Sequence, residues 1–265
     1  MPRPDQSFRF THIVARRPSP RVVDGLRAVD VGPPDFETFA AHHATYLQAL
    51  EDAGVDVTVL DADDRFPDSV FVEDAALCLP EGAVVMRPGA PSRLGEAVLM
   101  AETLKDYYAN IAEIVAPGFI EGGDILVSDR EVLVGLSERT NEEGFNQLAK
   151  IVAQWGYKAR MLQTPEGVLH FKTDCGLLDG ETILATSRLA ASGCFEGYRV
   201  LEIPEGEEAA ANAIRVNDHM LLADGFPGTA KLLRDAGYTV ITLPNSEAAK
   251  LDGGLSCMSL RFAPR

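Results

Sequence analysis

No apolar run in this sequence is long enough to span a bilayer, and the opening residues MPRPDQSFRF carry neither the basic nor the apolar region of a secretory leader. The expectation is a cytoplasmic protein. Cysteine is scarce: there are four in 265 residues, at positions 78, 175, 194 and 257, with no C-x-x-C pair and no short Cys/His spacing of the zinc-site kind. In a reducing compartment all four are expected as free thiols. Basic residues are in deficit, with 24 Lys and Arg against 40 Asp and Glu and a formal net charge of −16. Phosphate backbones and anionic membranes need clustered cations, so neither nucleic acid nor membrane is expected as a partner. A small cationic molecule suits the charge, although an acidic surface also serves plain solubility. Phosphate loops and dinucleotide fingerprints are missing too, which implies no nucleotide or nicotinamide cofactor.

What is present is a repeat. One ending recurs five times: GVDVTVLD from Gly54, NIAEIVAP from Asn110, GYKARMLQ from Gly156, GYRVLEIP from Gly197 and GYTVITLP from Gly237. Each is a helix-stop residue followed by an alternating apolar strand. Upstream, DFETFAAHHATYLQALEDAG predicts a helix capped by Asp35, with Phe36, Phe39, Ala40, Leu47 and Leu50 on one face. RTNEEGFNQLAKIVAQWG repeats the design, with a Thr140 to Glu143 capping box and a stripe at Phe145, Leu148, Val152 and Trp155, and GTAKLLRDAG is a shorter copy. Ahead of most helices stand two apolar runs joined by a turn: AALCLPEGAVVM, DILVSDREVLVG, CGLLDGETILAT and AIRVNDHMLLAD, which predict β-hairpins. The unit is strand, strand, helix, strand, with FRFTHIVARR beginning the first copy. Five such units close into a ring without capping repeats, and with no linker in view residues 1–265 read as one α/β domain.

Chemistry collects in the segments between each ending and the next hairpin. Four of the five carry polar residues that a plain loop does not require: FPDSVFVED, GFIEGGD, GVLHFKTD and LDGGLSC. Counted from the start of the ending, Asp68, Asp124 and His170 each fall 14 positions later, with Glu121 and Cys257 close by. Pseudo-symmetry about an axis brings such segments together in one central pocket. A thiol and an imidazole there form the minimal kit for nucleophilic catalysis, and carboxylates at Asp68, Glu73, Asp74 and Glu121 suit a planar guanidinium. Each residue also has a plain role: Cys257 as a small buried hydrophobe, His170 as a satisfied core histidine, Asp68 and Asp74 as turn caps, and the glycines of EGGD as positive-φ hinges. Cys78, Cys175 and Cys194 read as packing residues.

Taken in order, FPDSVFVED, RPGAPSR, EGGDILV, VGLSERTN, LHFKT and DGGLSCMS resemble the dimethylarginine dimethylaminohydrolase family, along nearly the whole chain. The resemblance implies a five-bladed α/β propeller of pseudo-symmetric ββαβ repeats, pentein-type, and a cofactor-free hydrolase that converts dimethyl- and monomethylarginine to citrulline and the methylamine. It implies Cys257 as the nucleophile, His170 as the general acid and base, and Glu121 as the group that orients His170. Asp74 would bind the guanidinium, supported by Asp68 and Glu73, while Arg93 and Arg139 would meet the amino-acid end of the substrate. Leu26 matches a loop over the site, and Leu251 a residue that contacts substrate through its backbone. An arginine deiminase-like hydrolase without the helical insertion, and a non-catalytic guanidine-binding protein, stay open beside this reading. A metal on the thiol, imidazole and carboxylates would inhibit. A homodimer stays open as the assembly.

Overall fold

The structure, a computed structural model, describes residues 5–164 and 168–265. Its first repeat runs from β1 (His12–Arg16) through α1 (Phe36–Asp52) to β2 (Asp56–Leu60). Asp35 caps α1 as expected, its carboxylate accepting from the Thr38 amide at 2.8 Å. The buried stripe of α1 runs through Phe39, His43, Tyr46 and Leu50, so Tyr46 carries the face more than Leu47 does. Gly54 leaves the helix at φ +83°, and Gly156, Gly197 and Gly237 do the same in their copies. Asn110 does not take that conformation; its side-chain amide donates instead to the Glu81 carbonyl at 3.2 Å.

The second copy comprises β3 (Ala76–Leu79), β4 (Gly82–Val85), α2 (Leu94–Leu104) and β5 (Ile111–Glu113). The third comprises β6 (Ile125–Val127), β7 (Val132–Leu136), α3 (Glu142–Gln154) and β8 (Ala159–Gln163). Next come β9 (Cys175–Leu177), β10 (Thr182–Ala185), α4 (Ser187–Ala191) and β11 (Arg199–Glu202). The last full copy holds β12 (Ile214–Val216), β13 (His219–Ala223), α5 (Pro227–Asp235) and β14 (Thr239–Leu243). Each forms a three-stranded sheet in which an antiparallel hairpin is followed by a parallel strand across the helix. The first copy departs from this in one respect. Its leading strand is β15 (Leu260–Phe262), from the far end of the chain, pairing antiparallel with β1 through Ile13 and Arg261. The ring is therefore closed by hydrogen bonds between the two ends of the fold.

Alternation explains why the middle strand of each sheet is apolar on both faces. In β4, Val84 packs toward the third copy, whereas Ala83 and Val85 pack toward the first. Ile183 and Leu184 divide in the same way in β10. The result is five separate cores, each wedged between neighbouring sheets and covered by a helix. The capping box expected at Thr140 is not formed: Asn141 is the cap of α3, accepting from Gly144 at 2.8 Å, because the Thr140 hydroxyl is spent on Asp124. Among the described residues no helix is long and apolar enough to cross a membrane.

Candidate active site

Just before each sheet's first strand the chain makes one tight turn, and these five turns form an inner ring. Val72–Ala75 touches Gly122–Asp124, which touches Phe171–Thr173, which touches Glu208–Asn212. Ser256–Met258 completes the circle, touching Val72–Ala75 on one side and hydrogen-bonded to Asn212 on the other. The glycines of EGGD serve this convergence, not a positive φ. A Cβ on Gly122 would lie 2.0 Å from the Glu73 carbonyl oxygen, and one on Gly123 would lie 2.8 Å from the His170 ring. The count of 14 does not mark equivalent positions, since Asp68 precedes its turn, Asp124 ends its turn and His170 stands immediately before its own.

Cys257 and His170 line one cavity of about 200 Å³ together with Leu26, Asp68, Asp74, Arg93, Arg139 and Leu251. The same two residues also line a wider chamber, together with Glu73, Lys172 and Asn212. His170 Nε2 is 2.7 Å from Glu121 Oε2, and Glu121 is fully buried. The other oxygen of Glu121 accepts from the Gly89 and Ala90 amides at 2.9 and 3.3 Å and lies 3.5 Å from Arg139. Burial alone would raise the Glu121 carboxyl, but the His170 hydrogen bond, the imidazolium charge and Arg93 and Arg139 hold it well below the usual range. Burial opposes charging of His170 as well, yet Asp74, the Glu121 hydrogen bond and Asp124 lift it to about 9. Near neutral pH the imidazole is therefore a protonated acid. Glu121→Gln is expected to lower the His170 midpoint by roughly 1–3 units, because one buried countercharge is removed. An NMR titration of the imidazole checks this, and an unmoved midpoint would assign the elevation to Asp74 and Asp124 alone.

Asp124 braces this pair from behind. Its Oδ1 accepts from the Phe171 amide at 2.8 Å, next to His170, and its Oδ2 accepts from the Ser137 and Thr140 hydroxyls, both at 2.6 Å. Thr140 in turn accepts from the Glu121 amide at 3.2 Å. Cys257 is in the opposite state to His170. Burial, reinforced by the charges of Glu73 and Asp74, pushes its thiol up to about 12, against the Gly254 amide, which donates to Sγ at 3.3 Å, and Lys172. Without a cation in the cavity the sulfur stays protonated. Of the other cysteines, Cys175 is buried and its thiol donates to the Phe171 carbonyl, while Cys78 and Cys194 pack partly buried against their cores.

The acidic groups divide into two sets. Asp74 Oδ2 pairs with Arg93 at 2.6 Å and Oδ1 accepts from Gly123 at 2.9 Å. Asp68 accepts from the Leu26 amide at 2.9 Å, and burial pushes its carboxyl up despite Arg93. Glu73 does not line that cavity but lines the wider chamber. Its Oε1 binds Lys172 at 2.6 Å and Arg261 at 2.7 Å, and its Oε2 accepts from the Ser256 hydroxyl at 2.8 Å. Burial would raise the Glu73 carboxyl, and the two cations more than offset that. Asp74, Glu121 and His170 come within ligating reach of one another, but their facing atoms are already bonded to Arg93, Gly123 and each other.

Sequence reasoning passed over Lys172, Asn212, Ser256 and Arg261. The hairpin start was the better ruler: Asn212 stands two residues before β12 as Asp74 stands two before β3.

A family model described as N,N dimethylarginine dimethylhydrolase, eukaryotic, matches residues 36–174. The N(G),N(G)-dimethylarginine dimethylaminohydrolase of Pseudomonas aeruginosa is 41% identical over 254 residues, covering 96% of this chain and 100% of that protein. A solved structure of a cysteine-to-serine mutant from that organism, complexed with citrulline, superimposes with a TM-score of 0.94 at 41% identity, over 96% of this chain and 100% of that one. A histidine-to-glycine mutant of a dimethylarginine dimethylaminohydrolase, in an adduct with S-methyl-L-thiocitrulline, gives 0.93 at 40% identity with the same coverage.

Proposed function

The chain belongs to the dimethylarginine dimethylaminohydrolase family, and from that premise we propose that it hydrolyses Nω,Nω-dimethyl-L-arginine and Nω-monomethyl-L-arginine to L-citrulline and dimethylamine or methylamine. The observation that carries the reading is the single cavity in which the Cys257 thiol and the His170 imidazole face Asp68 and Asp74. The charges that line the site suit a cationic substrate. A guanidinium beside Asp68 and Asp74 offsets the charge that keeps Cys257 protonated, so the thiol proton leaves to solvent when the cation binds.

The thiolate then attacks the guanidinium carbon, forming a C–S bond and a tetrahedral adduct. His170, protonated at the start, gives its proton to the methylated nitrogen as the C–N bond breaks, and the neutral amine departs. A cationic thiouronium remains on the sulfur. Neutral His170 next takes a proton from water, whose oxygen adds to the same carbon, and collapse expels the thiolate while the new carbonyl group releases a proton to solvent. Citrulline leaves and His170 is again an imidazolium. Glu121 holds the imidazole in place and favours its charged form at both steps. Arg139, at the cavity wall, is suited to the substrate carboxylate.

The test offers dimethylarginine, monomethylarginine and arginine at equal concentration and measures citrulline together with the released amine. Citrulline with dimethylamine is expected from the first. Turnover of arginine alone would keep the chemistry and replace the substrate with that of a deiminase, and ligand binding without any turnover would leave a guanidine-binding protein.

A further inference from the structure

The fourth turn of the inner ring lines no part of the cavity that holds Cys257 and His170, yet its last residue bridges the turn that follows His170 and the turn that carries Cys257. Asn212 Nδ2 donates to the Lys172 carbonyl at 3.0 Å and to the Ser256 hydroxyl at 2.9 Å, while Oδ1 accepts from the Ser256 amide at 2.9 Å. Lys172 lies two residues past His170, and Ser256 immediately precedes Cys257. The amide orientation is dictated by its partners, since a carbonyl can only accept and a backbone amide can only donate.

Two further observations tie Asn212 to the sulfur itself. A Cβ on Gly254 would approach Asn212 Oδ1 to 2.1 Å, so these groups are packed as closely as glycine permits. The Gly254 amide is the donor to Cys257 Sγ. The Ser256 hydroxyl donates its own hydrogen bond to Glu73, which binds Lys172, so the bonds close into a loop from the third turn through the fourth and fifth and back by way of the first.

We infer that Asn212 is a positioning residue, a single amide that sets the Cys257 turn against the His170 turn and holds the Gly254 N–H on the sulfur. The assignment rests on the reading of Cys257 and His170 as the reacting pair. Asn212 makes no hydrogen bond to either; it lines the wider chamber beside Cys257 and His170 but not the cavity with Asp68, Asp74 and Arg139 that would hold the amino acid. Its loss should therefore misplace the thiol without weakening substrate binding.

The experiment compares Asn212→Ala and Asn212→Ser with Tyr238→Phe, which removes the Tyr238–Asp179 hydrogen bond (2.7 Å) far from the ring as a stability control. Both Asn212 variants are expected to lose about 100-fold in kcat with KM within about threefold, the loss that a displacement of roughly 1 Å produces. A second readout, the pH dependence of Cys257 alkylation by iodoacetamide, needs no turnover. Losing the Gly254 N–H should move its midpoint further to alkaline pH in the Asn212 variants and leave it in place in Tyr238→Phe. If wild type turns over none of the three arginines, the substrate reading fails and this second readout still decides the role of Asn212. Wild-type kcat in either folded variant, or kcat and alkylation that track thermal stability along the same line as Tyr238→Phe, would overturn the assignment. If Asn212→Ala does not fold, Asn212→Ser, which keeps a small polar group, carries the same comparison.

Discussion

Cys257→Ser is expected to lose kcat by on the order of 10⁴-fold or more while binding citrulline as tightly as wild type. The two halves of that result come from different parts of the site. Binding is assigned in the proposal to Asp68, Asp74 and Arg139, and none of them bonds to the sulfur, so shrinking one wall atom leaves their contacts unchanged. Turnover depends on generating an anion at residue 257. Even the thiol is pushed up to about 12 by burial and by Glu73 and Asp74, and a substrate cation must bring it down before attack. A hydroxyl starts from a still higher value, and the Gly254 amide aimed at the atom cannot make up the difference. Quenched mass spectra read the same point independently: wild type should carry a mass increment during turnover and the serine variant none. A serine variant within tenfold of wild type, or wild type with no covalent species under conditions where breakdown is slow, would remove Cys257 from the nucleophile's role.

The sequence was most legible where local physics decides. A positive-φ glycine and an alternating apolar strand mark the repeat endings, and hairpin tips mark the middle of each sheet, because turns and pleats need particular residues at particular offsets. The closing strand was not legible in that way. Leu260–Phe262 is three residues long and acquires its partner only when β1, from the other end of the fold, comes alongside. Thr140 shows a local rule defeated by a tertiary one. Its spacing to Glu143 fits a capping box, but Asp124 is buried and needs donors, and Asn141 is free to cap instead.

The side chains proposed to react were readable and the groups bonded around them were not, for a related reason. Cys257, His170 and Glu121 are residue types whose chemistry is conspicuous. Lys172 and Arg261 read as ordinary cations until the ring closes and both are found on the buried Glu73 carboxylate. Glu73 itself was read as a substrate carboxylate from its place beside Asp74. In the structure Asp74 lines the cavity, while the Glu73 carboxylate is taken up by Lys172, Arg261 and Ser256.

Arg93→Ala is expected to destabilise the fold by about 3–5 kcal/mol, the cost of breaking a buried ion pair by removing one partner. Arg93, Asp74 and Glu96 are each only 6% exposed at the side chain, so water cannot replace the lost charge. The guanidinium binds Asp74 through Nη1 at 2.6 Å, Glu96 through Nε and Nη2 at 3.0 and 2.8 Å, and the Phe71 carbonyl at 2.8 Å. One side chain thus answers two carboxylates and a backbone acceptor. The pH dependence separates this account from simple loss of packing. Burial already raises the Glu96 carboxyl above its ordinary value, with Arg93 holding it down, so in the variant that carboxyl rises further. An acid whose folded-state pKa lies above its unfolded value takes up protons preferentially in the folded state, so the variant gains stability as pH falls through that raised value. The deficit against wild type should therefore shrink on going from pH 7 toward pH 5 in denaturant titrations. Arg93→Met, which restores volume without charge, should keep most of the deficit at pH 7 and show the same recovery. A deficit that is constant with pH, or one that methionine repairs, would mean that Arg93 acts through its bulk and that the two acids do not depend on its charge.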